Sequence, residues 1–174
     1  MATSLEGTIE FPGTVTFSGT VYLPSGGVTN ANFSPSSANR LDASKAIHRV
    51  DLNYSQANGS DVADATVVLR VCKGAGTFKG VTVRPYTAPT GGDKAFTVDV
   101  KKASDGGNTF ASILSSVVTV NSSSTSGTLQ TATLSGTPTT AAGDAIQIVV
   151  DATGSTGSQG QGLCVSIYYE ESPS

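Results

Sequence analysis

The chain has 174 residues, enough for one medium domain with a tail, of which 37% are apolar and only 13% charged, and its formal net charge is −3. That balance argues against a nucleic-acid binder, which needs a basic stripe, and against electrostatic docking to an anionic membrane, and no apolar run approaches the roughly 18 residues of a membrane span. Scarce Lys, Glu and Leu argue against a helical bundle, whereas runs of Val, Ile and Thr favour packed strands.

The chain opens on a repeat. Residues 7–24 read GTIEFP, GTVTFS, GTVYLP, three six-residue units in a row. Apolar residues and glycines occupy the odd positions, and Thr, Glu, Ser, Tyr and Pro the even ones. Such period-2 alternation marks extended chain with one apolar and one polar face. Pro12 lacks a donor for a central strand, so the segment reads as short kinked strands. Three hexads are too few to bury their own apolar face. We therefore expect an extended N-terminal arm over 1–24 whose face is covered by contact. Its expected contact residues are Ile9, Phe11, Pro12, Val15, Phe17, Val21 and Leu23.

Residues 25–47 read as a linker rich in Ser, Asn, Gly and Pro. LDASKAIHR (41–49) suits a short helix with Asp42 as its N-cap. Strand-like runs follow at 47–54, 62–71, 76–85, 94–102, 110–120, 127–134, 144–152 and 163–171. Turn signals separate them, among them Asn58-Gly59, Gly91-Gly92, Asp105-Gly106-Gly107 and Thr137-Pro138. About eight short strands without a helix among them predict an all-β, antiparallel β-sandwich over 48–174, jelly-roll-like in character. Alternation assigns Val98 and Val100, and Ile146, Ile148 and Val150, to the core. In the last strand it leaves two sets open: Cys164, Ser166 and Tyr168, or Leu163, Val165 and Ile167. Cys72 and Cys164 both sit in apolar runs and read as buried free thiols, with a disulfide as the alternative.

Catalytic chemistry has little to stand on. His48 is the only histidine, beside Arg49 and Asp51, and no G-x-S-x-G elbow supplies a nucleophile. The aspartates are scattered over strand ends and turns. No calcium-loop pattern occurs, which leaves Asp61 and Asp64 as the one pair that could hold a loop cation. One His and two Cys do not make a zinc site. KGAGTFKG (73–80) lacks the phosphate-loop signature and reads as a hairpin turn. The expectation is a protein that is not an enzyme, with no catalytic, cofactor-binding or metal residues. Tyr54, Tyr86, Tyr168 and Tyr169 are candidates for stacking on sugars. MATSLEGTIE has no basic region followed by an apolar core, so synthesis in a cytoplasm is expected.

The order EGTIEFPGTVTFSGTVYLPSGGVTNANFSP, LDASKAIHR, then a strand-rich domain ending AGDAIQIVVDATGSTGSQGQGLCVSIYYEE resembles the capsid decoration proteins of tailed bacteriophages, also called cement or head-stabilising proteins. The resemblance spans nearly the whole chain. Its most specific part is FPGTVTFSGTVYLPSGGV followed by the element that carries Lys45 and His48. The relatives carry a second histidine near the first, whereas Arg49 follows His48 directly here, so no metal or pH-sensing role is carried over. The resemblance implies a homotrimer on the outer surface of a phage head, made in the host bacterial cytoplasm. It would grip the major capsid protein through the arm from Ile9 to Leu23. The alternative is a head-fibre or tail module that binds a host surface glycan or receptor on the same sandwich.

Overall fold

The computed structural model describes residues 48–171. The repeat arm, with Ile9, Phe11, Pro12, Val15, Phe17, Val21 and Leu23, and the linker lie outside the described residues.

Ten strands form two five-stranded sheets: β1 (His48–Asp61), β2 (Ala65–Val71), β3 (Gly76–Thr87), β4 (Ala95–Ala103), β5 (Ala111–Ser112), β6 (Val118–Asn121), β7 (Gln130–Thr131), β8 (Thr139–Thr140), β9 (Ala145–Thr153) and β10 (Gln161–Glu171). No helix occurs among the described residues. The first sheet runs β1-β10-β3, with β7 and β8 both on the far edge of β3; the second runs β2-β9-β4, with β5 and β6 both on the far edge of β4. Every ladder is antiparallel. If β5/β6 and β7/β8 are each one interrupted strand, eight strands remain, four in each sheet, in the order of a jelly roll.

Alternation explains the core. Phe96, Val98 and Val100 of β4 and Ile146, Ile148 and Val150 of β9 are buried, with Val98 opposite Val150 and Val100 opposite Ile148. In β10 the inward set is Leu163, Val165, Ile167 and Tyr169, all buried. Ile167 faces Leu52 and Val81 across its two ladders, and Val165 faces Tyr54 and Val83. Each such apolar side chain contributes roughly 1.5–3 kcal/mol on burial. One detail keeps β3 in phase. Tyr168 pairs with Gly80 but Tyr169 with Phe78, so Lys79 is an extra residue. That bulge lets Phe78 share the inner face with Val81 and Val83. Phe78 then meets Tyr169 in a tilted aromatic pair, ring centroids 5.3 Å apart.

Several expectations need correction. His48 and Arg49 are strand residues, paired with Glu171 and Glu170, so the helix over 41–49 does not reach its expected end; residues 41–47 lie outside the described ones. Asn58-Gly59 is no turn: β1 continues past it, and the ladder with β10 shifts register between Gln56 and Asp61. The run 110–120 is two strands, because the chain leaves the edge of β4 between them. Cys72 is buried, but Cys164 is exposed: it is an even position of β10 and points away from the core. Both thiols are free.

Candidate interaction surface

The two long sides of the sandwich differ. On one side the sheets end in two-to-four-residue strands. Ser112 donates its hydroxyl to Asp99 Oδ1 at 2.6 Å, and Ile113 N–H donates to Val100 O at 2.9 Å. The chain then turns from the second sheet to the first. Leu114 bridges to Leu134, Ser115 N–H donates to Thr133 O and Ser135 N–H to Ile113 O, both at 2.9 Å. Ala132 N–H donates to Val81 O at 2.9 Å and completes the link to β3. Backbone hydrogen bonds thus stitch this side shut, and Ile113 and Leu114 are buried beneath them.

The opposite side is bounded by β1, with 14 residues, and β2, with 7. Each is bonded on one edge, β1 to β10 and β2 to β9. Among the described residues no strand pairs with the other edge of either. On β2, Val67, Val68 and Val71 are 38%, 49% and 59% exposed. Natural edge strands are usually guarded by charge. The only charge on β2 is Arg70, and it is turned into an ion pair with Glu171. The Glu171 carboxylate also accepts N–H donors from Lys73 at 2.8 Å and Gly74 at 3.0 Å. Burial works to raise the Glu171 carboxyl, but these donors and Arg70 outweigh it and hold it below the usual range. Arg70 is therefore occupied, and the valines are left at the rim. Behind them Val50, Leu52, Tyr54 and Leu69 are only partly buried against the core.

Asp93, Asp144, Tyr169, Asp61 and Asp64 serve the fold. Asp93 takes N–H donors from Thr156 at 2.7 Å and Ser155 at 2.9 Å and the Thr156 hydroxyl at 2.8 Å, which lowers its carboxyl to about 2. Burial tends to raise the Asp144 carboxyl, but Ala141 N–H at 3.0 Å and Lys102 Nζ at 3.1 Å lower it overall. Burial pushes the Tyr169 hydroxyl up to about 12, where it bonds Thr140. The Asp61 and Asp64 pair holds ladder ends: Asp64 accepts from Ala152 N–H at 2.7 Å and Asp61 from Gln161 Nε2 at 3.3 Å. No group of three metal-ligating side chains occurs among the described residues. Of the tyrosines named as sugar platforms, Tyr169 is buried, Tyr54 half-buried, and Tyr86 and Tyr168 exposed.

The β2 edge is not among the features expected from alternation. Its signal was present in TVVLRV, where apolar residues run together instead of alternating. A run like that suits a strand buried on both faces, and only the sheet order shows that β2 is an edge.

No protein-family model matches the chain, and no curated protein matches it. Among solved structures, a chain of the capsid of Ralstonia phage GP4 is similar at a TM-score of 0.48 and 19% identity, over 78% of this chain and 91% of that chain. Neither figure is high enough to transfer anything from that capsid to this protein.

Proposed function

We propose that the protein is a structural virion protein that decorates and stabilises the head of a tailed phage. In this reading it binds the major capsid protein from the outer surface as a homotrimer at three-fold positions. Ile9, Phe11, Pro12, Val15, Phe17, Val21 and Leu23 form the anchor. The observation that carries the reading is the open side of the sandwich, where an unguarded edge strand presents Val67, Val68 and Val71. A strand edge of that kind is built to be completed by another chain. The alternating arm, whose apolar face needs cover, and its resemblance to decoration proteins support the same conclusion. At about 3.3 Å per residue, the 47 residues before β1 span on the order of 150 Å when extended, enough for one copy to tie several capsid subunits. Stabilisation follows from mass action, since a ligand of the assembled shell alone favours the shell. Closed symmetry is the usual state of such homo-oligomers.

The test is co-sedimentation of the purified chain with undecorated heads and with free capsid subunits. Binding to heads alone, with a raised melting temperature of the heads, is the expected result. Replacing Phe11 and Phe17 by Asp is expected to abolish attachment while the circular dichroism of the sandwich stays unchanged. Normal decoration by that variant sinks the arm as anchor, and no binding of the native chain to heads sinks the whole reading. Light scattering on the full chain and on one starting at Ile47 reads the oligomer. A trimer in both puts the subunit contact in the sandwich.

A further inference from the structure

At Gly162 the β10 strand breaks step with β1 but keeps step with β3. Toward β1, Leu163 faces Gln56 but Gln161 faces Asp61, so residues 57–60 swing out of the ladder. Toward β3 the register holds, with Leu163 opposite Pro85 and Gln161 opposite Thr87, which sets Gly162 level with Tyr86. Gly162 is buried with φ +58°, and a Cβ there would lie 2.5 Å from Asn58 Oδ1 and 3.0 Å from Tyr86 Cβ. Only glycine leaves the space open. The result is a bay of about 430 Å³ on the outer face of the first sheet, with Asn58, Arg84, Tyr86 and Cys164 among its walls.

The walls are not generic. Tyr86 is 60% exposed and offers an aromatic face at the rim. Arg84 is held in place by donating its Nε–H to Gly127 O at 2.9 Å, and it makes none of the ion pairs found among the described residues. Its remaining guanidinium donors can therefore take a carboxylate, the partner that their planar fork fits best. Asn58 adds an amide that can both donate and accept. The Gln56 amide beside it is already engaged with Tyr54 and Ala63. The volume falls in the range of small-ligand sites. With the chain at net charge −3, attraction of an anion here is local to Arg84.

We propose that this bay binds a carboxylate-bearing sugar of a surface glycan, with the C–H face of the ring on Tyr86, the acid on Arg84 and a hydroxyl on Asn58. The site is independent of head decoration, so either reading can fail alone.

The experiment is a chemical-shift titration of the isotope-labelled full chain with trigalacturonic acid and with 3′-sialyllactose. Maltotriose and lactose serve as neutral controls at matched ionic strength. At least one acid sugar is expected to give saturable shifts at Asn58, Tyr86, Gly162 and Cys164, and to slow alkylation of Cys164. Cys72 is buried and stays silent in that assay. Arg84→Gln is expected to weaken binding by about tenfold or more, the worth of a charge-assisted contact, and Tyr86→Ala to weaken it severalfold through loss of the aromatic face, while Arg84→Lys retains part of it. Since Arg84 also holds the loop at Gly127, a spectrum of Arg84→Gln altered beyond the bay shifts the decision to Tyr86→Ala and Arg84→Lys. Absence of saturable shifts with both acids overturns the proposal. So does binding of the neutral sugars at equal strength, or binding indifferent to these substitutions.

Discussion

The stitched side and the open side of the sandwich are made from the same kinds of residue, yet they are finished differently. On the stitched side, strands of two to four residues hand the chain from one sheet to the other, and backbone groups are paired at the crossing. On the open side, β1 and β2 are long and their outer edges have no partner among the described residues. What differs is where hydrogen-bonding capacity is spent. One side satisfies it internally at the expense of strand length, and the other keeps long strands and leaves capacity for something else.

The comparison can be broken most severely from the stitched side. Ile113→Ala is expected to cost about 2–5 kcal/mol in denaturant unfolding, because a buried side chain is lost where both sheets meet. A cost under about 0.5 kcal/mol contradicts the description of that side as integral to the core. Next comes Glu171→Gln, which removes the carboxylate that occupies Arg70 and the Lys73 and Gly74 N–H groups. A loss of about 1–3 kcal/mol is expected. Acid probes the same ties. Asp93, Asp144 and Glu171 all have carboxyls below their ordinary values. Their contribution is therefore whole above pH about 4.5 and fades as protonation proceeds toward pH about 2. Thermal melts are expected to be level from pH 7 to about 5 and to fall below that, and Asp93→Asn to flatten the lowest part of the fall. A melting temperature that rises on acidification contradicts the sign. The smallest stability effect belongs to Val68→Lys on the open side, under about 0.5 kcal/mol. The same substitution is expected to abolish association with heads, read by sedimentation. A large loss of stability with unchanged association reverses the assignment of that edge.

Much of the sandwich is visible in one-dimensional alternation. Ile146, Ile148 and Val150 announce their face, and of the two sets left open in β10 the aliphatic one points inward. The interruptions are not visible, because they are decided by partners far along the chain. The break between β5 and β6 is set by Asp99 receiving Ser112 and by Leu134 receiving Leu114. Asn58-Gly59 carries the composition of a hairpin turn, but Leu163 and Gln161 pull β1 onward past it. The bay at Gly162 depends on that same register jump, so its walls, 26 and more residues apart in sequence, give no local sign of meeting. The expected anchor from Ile9 to Leu23 lies outside the described residues and stands on the repeat itself.

The short strands β5 to β8 have a consequence for valence. A sheet with two free long edges can add neighbours in both directions and grow without limit, as fibres do. Here the far edges of β3 and β4 carry only fragments, so among the described residues each sheet has one end at which it can be extended. A sheet that accepts a strand at that end is closed to further growth of its own ladder by this molecule, and β1 and β2 offer one such end each.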